Sequence, residues 1–303
     1  MQRPATPLKT GVMSLVPASQ VTRGVALMLL AILLFTAMDA TAKGLIERYP
    51  APQVIWVRFA GQLVLVLMIL NVRLGPVLRT RFPVMHVWRS ASQFGATTFF
   101  FLSLPSMGLA EATAIADINP VLITLGAALF LGERLGPRRI AGVVVALIGA
   151  MIVIRPGAGV FSWSALLPLA CALSYATSAL LTRKIGAQES VWASMVYASL
   201  FGTLVAGAAL PFVWEPVATS DLWKFGLIAC LGTAAQLCII RSFSITEASV
   251  VAPFSYLGIV FATGWGVVLY DQWPDRWTVI GALVIVGAGL YVWHRETRAA
   301  RVP

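Results

Sequence analysis

The stretch that decides the class of this protein is residues 22–42, which reads TRGVALMLLAILLFTAMDATA. Its charged residues are Arg23, at the start, and Asp39, near the end. A helix needs about 20 mostly apolar residues to cross the hydrocarbon core of a membrane. The stretch is too long for the apolar part of a signal peptide. It therefore predicts a membrane-spanning helix that carries one acidic residue.

Nine further apolar stretches follow, so the sequence predicts ten spans. The gaps between them are short and carry turn-forming proline and glycine, and none could hold a soluble domain. The predicted spans are residues 22–42, 52–70, 84–104, 110–131, 138–155, 163–181, 190–212, 222–242, 246–269 and 277–293.

The composition agrees with a membrane protein. Of the 303 residues, 59% are hydrophobic and 11% are charged, whereas a soluble domain carries about 25% charged residues. The mean hydropathy is +0.85. A disordered chain, a disulfide-rich secreted scaffold and an ordinary soluble enzyme are therefore disfavoured.

The net charge of +10 is explained by the distribution of the basic residues. With ten spans, 16 of the 22 Lys and Arg residues fall on the side of the N-terminus, 5 fall on the other side, and Arg58 lies inside the second span. Cytoplasmic loops carry such an excess. We therefore expect a multi-pass protein of the inner membrane with both termini in the cytoplasm. The lipid bilayer accounts for this charge, and a nucleic-acid partner is not expected.

Two parts of the chain resemble each other. Ala110-Glu111-Ala112-Thr113 opens the fourth span and Thr246-Glu247-Ala248-Ser249 opens the ninth. Each span ends near an acid, Glu133 or Asp271, and a span punctuated by glycine follows. These features predict a duplication into five plus five spans. Because five is odd, the second half must be inverted relative to the first, which is a frequent design among alternating-access transporters.

The predicted organisation follows from this duplication. The first repeat covers residues 22–155 and the second covers residues 156–293, with cytoplasmic tails at 1–21 and 294–303. The predicted fold class is an all-α integral membrane protein with ten transmembrane helices in two inverted five-helix repeats around a central cavity.

The same residues resemble a known family. Ala110-Glu111-Ala112, Asn119-Pro120-Val121 and Gly132-Glu133-Arg134, with their counterparts in the second half, are similar to those of EamA-type carriers of the drug/metabolite transporter superfamily. Ala252-Pro253-Phe254-Ser255-Tyr256 shares this similarity, while Asp271 stands where such repeats commonly carry Glu. The resemblance implies transport of a small organic metabolite, often export of an amino acid.

Other substrates and directions stay open. Some members of this family take up larger solutes, so the alternatives are a vitamin such as riboflavin, a nucleoside-type cofactor such as S-adenosylmethionine, or an amino-acid-derived metallophore. A channel is a further alternative. No Walker A, HExxH or GxSxG motif occurs, and the three cysteines and two histidines form no ligand pattern. We therefore expect no enzyme activity, no metal and no cofactor.

Three charged residues are predicted inside the spans. Asp39, Arg58 and Asp117 come out at a similar depth, and charge in the hydrocarbon is costly unless it faces a cavity or a partner. One hypothesis is a substrate site in which Arg58 binds a carboxylate and an acid binds an ammonium group. The alternative is a structural Asp–Arg pair that only holds helices together.

Uncharged polar residues extend the candidate substrate site. They lie within apolar spans, where they could line a cavity or bind neighbouring helices. These residues are Gln93, Asn119, Tyr175, Gln236, Ser255 and Tyr256.

Two proline residues and two glutamate residues are placed alike in the two halves. Pro120 and Pro253 interrupt the backbone ladder of the fourth and ninth spans, which predicts a hinge or a packing kink. Glu111 and Glu247 lie at helix N-termini, where they could act as helix caps or as gates. Spans five and ten carry small residues instead, and we expect them to brace each half or to form a homodimer.

Overall fold

All regular elements in the described part of the chain are helical. The computed structural model describes residues 18–71, 75, 78, 80–131, 137–154, 163–185, 189–245 and 252–299. Helices are expected here because lipid offers no hydrogen bonds to a polar backbone, which must satisfy itself within each segment.

Each predicted span corresponds to a helix or to a pair of helices. The helices of the first half are α1 (Ala18–Ile46), α2 (Ala51–Leu70), α3 (Pro83–Ser103), α4 (Leu109–Ala116), α5 (Asn119–Leu131) and α6 (Pro137–Ile154). Those of the second half are α7 (Leu166–Ile185), α8 (Val191–Val213), α9 (Leu222–Ile245), α10 (Leu257–Tyr270) and α11 (Arg276–Ala299). Short 3-10 turns at Trp163–Ala165 and Ala252–Tyr256 precede α7 and α10.

Within the described ranges, four helices are long and apolar enough by themselves to cross a membrane. They include residues Thr22–Ile46, Ala51–Leu70, Val191–Val213 and Leu222–Ser242. Shorter apolar helices occupy Ile140–Ile154, Leu166–Thr182, Phe254–Tyr270 and Arg276–Tyr291. The protein is thus an all-helical, multi-pass membrane protein.

The structure corrects two predicted boundaries. The first span continues to Ile46 instead of residue 42, so Lys43 lies inside α1 and is 3% exposed, not in a loop. The fourth span is not one helix, because it is divided into α4 and α5 by a turn at Asp117 and Ile118.

Helices of the first half pack mainly against helices of the second half. The pairs are α1 with α9, α2 with α8, α3 with α7, α4 with α10, and α6 with α11. The largest buried cluster lies among α1, α2, α3, α4, α9 and α10, and it includes Phe59, Phe101, Leu109 and Ile228. We call the end of the bundle where α1 begins the near end, and the opposite end the far end.

Small residues let α6 and α11 approach closely. Ala146 and Ala150 are 0% and 3% exposed. A Cβ atom added to Gly281 would lie 2.7 Å from the carbonyl oxygen of Gly149 and 2.5 Å from the Val153 side chain. This face is therefore covered within one chain, and a homodimer through these helices would have to use their other faces.

A buried carboxylate joins the two halves at the far end. Asp221, at the start of α9, accepts hydrogen bonds from Tyr49 Oη at 3.0 Å, Arg48 Nη1 at 3.2 Å and Lys224 Nζ at 2.8 Å. The hydrogen bond from Lys224 is the main cause that lowers the pKa of Asp221, followed by those from Tyr49 and Arg48, although desolvation opposes them. The side-chain amide of Gln53 adds a second link, because it pairs with both backbone groups of Glu215 at 2.9 and 3.0 Å.

A second carboxylate joins the halves at the near end. Glu189, just before α8, accepts hydrogen bonds from Thr80 Oγ1 at 2.8 Å and from the backbone N–H of Arg81 at 2.9 Å. Its other oxygen lies 3.6 Å from Nε2 of the buried His86, whose ring stacks on Tyr197. The N–H of Arg81 is the largest cause that lowers the pKa of Glu189. At each end of the bundle, hydrogen bonds thus link a loop of the first half to a loop of the second half.

The contact between α6 and α11 gives the first prediction. Gly281→Ala should lower the free energy of unfolding by about 1–3 kcal/mol, because the added methyl group meets backbone that cannot move away. Thermal unfolding of the purified protein in detergent measures this as a lower Tm. The control is Gly287→Ala on the same helix, where an added Cβ meets nothing within 4 Å. Equal Tm values for the two variants would contradict the packing described here.

The far-end carboxylate gives a prediction about pH. A carboxyl whose pKa is lowered by folding stabilises the protein above its unfolded pKa, and this contribution is lost as the pH falls through the lowered value. Asp221→Asn should therefore lower the Tm at neutral pH. The difference from the wild type should shrink below about pH 3.9, the ordinary pKa of Asp. Glu215→Gln is the control, because the side chain of Glu215 is exposed and only its backbone makes this contact. A Tm difference that persists in acid would contradict this assignment.

Candidate functional site

The candidate site is built around the break in the fourth span. Asp117 caps the C-terminus of α4, where its N–H donates to Thr113 O at 2.9 Å. The helix does not continue, because Pro120 has no N–H to donate to Ala116 O. The chain restarts as α5, with the N–H of Val121 donating to Ile118 O at 3.0 Å.

The ninth span is also irregular. Ala252–Tyr256, which contains Pro253, forms a 3-10 turn before α10 begins at Leu257. Helices α4 and α10 pack against each other, so the two proline-containing breaks belong to neighbouring spans. Interrupted spans of this kind form midplane substrate sites in many transporters, since they present backbone polar groups to a cavity.

Asp117 points into the interior from the first break. Its Oδ2 atom is buried and has no hydrogen-bond partner among the described residues. The same atom is 4.0 Å from the position that a Cβ on Gly258 of α10 would take. Asp117 also interacts electrostatically with Cys171, Tyr175 and Tyr256. A buried polar atom without a partner is uncommon in folded proteins, so this carboxyl is a candidate for binding a ligand.

Arg58 and Asp39 form an interior pair beside it. Arg58 is 5% exposed and interacts electrostatically with Asp39. Its guanidinium carbon lies 4.9 Å from the centroid of the Phe59 ring, and its Nε atom is buried with no partner among the described residues. Cys171 interacts electrostatically with both Asp39 and Asp117, so the two acids face one interior region.

The uncharged residues of the predicted site differ in their exposure and in their hydrogen-bond partners. Tyr175 is 40% exposed, and Tyr256 is 8% exposed with its hydroxyl directed at Gly289 of α11. Gln93 Oε1 accepts a hydrogen bond from Ser178 Oγ of α7 at 3.3 Å, so it binds a neighbouring helix.

The remaining uncharged residues are only partly buried. Asn119 opens α5 at the break, Ser255 lies in the 3-10 turn, and Gln236 lies on α9. Both tyrosines thus interact electrostatically with Asp117, whereas Gln93 binds another helix.

The two residues that the sequence predicted as helix caps or gates are Glu111 and Glu247. Glu111 lies in the first turn of α4 and is partly buried, a position that suits a helix cap. Glu247 lies outside the described residues. Among the residues that the structure does describe, no group of three or more His, Cys, Asp or Glu side chains could hold a metal ion.

The sequence did not single out two residues that lie next to this region. Lys43 is buried in α1, four residues after Asp39, and its presence inside a helix could have been inferred only from a longer first span. Cys171 is close enough to both acids to interact with them, but sequence alone gave it only the role of a small core residue.

Comparison with known proteins agrees with these observations. The EamA-like transporter family matches the chain twice, over residues 22–155 and 162–293. The pseudopaline exporter CntI of Pseudomonas aeruginosa is 30% identical over 275 residues, which cover 88% of this chain and 94% of that protein.

Two further relatives are named as transporters of other substrates. A riboflavin transporter of Rhizobium johnstonii is 30% identical over 239 residues, covering 76% of this chain and 77% of the relative. An S-adenosylmethionine uptake transporter of Rickettsia bellii is 25% identical over 279 residues, covering 91% and 95%.

A solved crystal structure shows the same fold. It covers 92% of this chain and 99% of its own, with a TM-score of 0.66 at 23% identity. At that identity the similarity concerns the fold alone. Two family matches that together span most of the chain, and full-length relatives named as transporters, lead to one conclusion: this protein belongs to the EamA-like transporter family.

Proposed function

We propose that this protein is a secondary carrier that moves a small, polar, amine-bearing metabolite across the inner membrane by alternating access. The observation that carries the proposal is the buried carboxylate oxygen of Asp117 at the break between α4 and α5, for which no described residue is a hydrogen-bond partner. A charged group is retained in such a place against its desolvation cost when it meets a cavity or a ligand.

The packing of the helices supports two inverted halves, residues 22–155 and 156–293. We number the spans one to five within each half. Helix α1, span one of the first half, packs against α9, span three of the second half. In the same way α3, span three of the first half, packs against α7, span one of the second half. The contact of α2 with α9 is matched in the same way by that of α3 with α8. Spans two, four and five each pack against their own counterparts. A two-fold axis between the halves produces this exchange of partners, and an odd number of spans per half makes the axis lie in the membrane plane.

The charges of the site favour a particular substrate chemistry. Asp117 would bind an ammonium group, because its free oxygen offers an acceptor and a negative charge. Arg58 also interacts electrostatically with Asp39. It would bind a carboxylate through the guanidinium N–H groups that remain available. Two acids against one arginine suit a zwitterion or a substrate with an additional positive charge.

Export of an amino-acid-type compound is the function that this chemistry favours. The second candidate is the transport of a larger solute, by uptake or by export: a vitamin, a nucleoside-type cofactor or an amino-acid-derived metallophore. The names of the relatives support it, since they include a riboflavin transporter and an S-adenosylmethionine uptake transporter beside the pseudopaline exporter. A homodimer through the outer faces of α6 and α11 is compatible with either function.

The substrate site is tested by neutralising its charges. Arg58→Gln and Asp117→Asn should each raise KM about tenfold or more, because each removes a charge-assisted hydrogen bond to the substrate. Initial rates in proteoliposomes measure this across a panel of amino acids, riboflavin and S-adenosylmethionine, with and without a pH gradient. Arg81→Gln is the control, since the side chain of Arg81 is exposed.

The same variants separate substrate binding from a structural pair. A structural pair alone would lower the Tm of Arg58→Gln while leaving the KM of the folded fraction unchanged. An Arg58→Gln protein that folds and transports like the wild type would contradict the role of Arg58 in binding.

The proposed orientation is tested with reporters. Alkaline phosphatase inserted between Thr219 and Ser220, at the far end, should be active, because the enzyme needs an oxidising compartment. The same reporter at the C-terminus should be inactive, whereas a fluorescent protein fused there should fluoresce. The reverse pattern would invert the whole topology and contradict the charge rule used to derive it.

A further inference from the structure

A second polar cluster lies at the far end, outside the candidate site. It forms where the end of α1, the turn between α3 and α4, and the end of α10 meet. We call it the far-end cluster, and its residues are Ala40, Lys43, Leu104, Met107 and Tyr270.

Lys43 is the charged centre of this cluster. Its side chain donates to Leu104 O and, at 2.9 Å, to Met107 O. Leu104 caps the C-terminus of α3, where carbonyl groups lack helical partners and the helix dipole is negative. Nζ also lies 5.8 Å from the centre of the Tyr270 ring, and Glu47 adds an electrostatic interaction. Lys43, a residue that is 3% exposed, is thus held mainly by backbone carbonyls of another element.

Tyr270 brings the second half of the chain into the cluster. Its hydroxyl donates to Ala40 O, and it packs so close to Gly44 that an added Cβ there would lie 2.8 Å from the hydroxyl oxygen. Two residues further on, Gln272 Oε1 accepts from the N–H of Leu109 at 3.4 Å, at the start of α4. The end of α10 is therefore tied both to α1 and to the segment that leads to Asp117.

The cluster lies between the candidate site and the far end. Lys43 follows Asp39 by four residues, which puts the two side chains on one face of α1 about 6 Å apart along its axis. Met107, Tyr270 and Cys171 pack against the same buried core. Cys171, which interacts electrostatically with both acids of the site, therefore shares this core with residues of the cluster.

We propose that Lys43 and Tyr270 form a gate that closes the candidate site from the far end. Lys43 is a positioning residue that holds the α3–α4 turn and the end of α10 together. The proposal rests on the alternating-access function proposed above. In this gate, α10 separates from α1 and from the α3–α4 turn each time the site opens at the far end.

The chemistry of these contacts suits a gate. Water can replace the carbonyl groups that bind Lys43, and an ammonium group that becomes hydrated recovers the solvation that closure removes. Opening then exchanges one set of hydrogen bonds for another, so the free energies of the two states stay close. The contact of Gly281 with Gly149 is different, because backbone packed against backbone has no such replacement.

The native Cys171 provides the test. In full-length protein with Cys230→Ala and Cys238→Ala, a membrane-impermeant methanethiosulfonate reagent is applied to right-side-out or inverted vesicles. The rate of Cys171 modification from each side is compared for Lys43→Met, Tyr270→Phe and the background protein. Arg276→Gln is the matched control, since Arg276 lies at the same end and its guanidinium contacts the Trp277 ring.

The rate of Cys171 modification is expected to rise from the far end only. Lys43→Met should raise the rate from the far end about tenfold or more, because it removes two hydrogen bonds of a charged group. Tyr270→Phe should raise it about threefold to tenfold, because it removes one hydrogen bond between neutral groups. The rate from the near end should fall or stay constant, and Arg276→Gln should match the background. Lys43→Met keeps the length of the side chain, and Tyr270→Phe provides an independent variant if the first does not fold.

Three results would overturn the gate. One is a far-end rate that neither variant changes, as expected for a fixed brace. Another is an equal rise from both sides, which indicates general loosening, and the third is a loss of transport without a change in labelling. The labelling needs no substrate, so the gate can hold even if the transport panel finds none and the proposed function fails.

Discussion

The need of the backbone to satisfy its own hydrogen bonds inside the membrane governs this structure. Helices meet it within each segment, and any interruption leaves donors or acceptors that lipid cannot bind. The described helices are continuous across their apolar stretches, except at Asp117–Ile118 in the fourth span and in the 3-10 turn before α10. Pro120 and Pro253 lie at these two places. At these interruptions Ile118 and Tyr256 are 1% and 8% exposed and pack in one buried cluster.

The charged residues follow from the same constraint. Asp117 lies at the first interruption, and Asp39 and Arg58 come from the helices packed around the same interior region. Charge is costly in an apolar interior, so Asp39 and Arg58 reduce the cost by interacting with each other. Asp117 keeps one oxygen without a partner in the described part of the chain. Asp39 and Arg58 thus each have an opposite charge nearby, whereas Asp117 has a buried acceptor that no described residue uses.

Two different kinds of contact join the helices at the ends of the bundle. Asp221 and Glu189 fix loops of one half to loops of the other with several hydrogen bonds to each carboxylate. The far-end cluster instead relies on Lys43 bound to carbonyl groups and on one tyrosine hydroxyl. Contacts that water can replace are the ones that can open and close repeatedly without a large change in free energy.

The sequence by itself determined the membrane class and predicted ten spans in two repeats, because length and hydropathy act locally and each span must be apolar on its own. It also identified Asp39, Arg58 and Asp117, since charge stands out against an apolar background. Proline pointed to an irregularity in the fourth span, but the division into α4 and α5 appeared only in the structure. Tertiary structure alone decided that Gln93 binds Ser178, that Tyr256 packs against Gly289, and that Lys43 is buried under Tyr270. These outcomes depend on which helices become neighbours, and contacts between residues far apart in the chain leave no local pattern in the sequence.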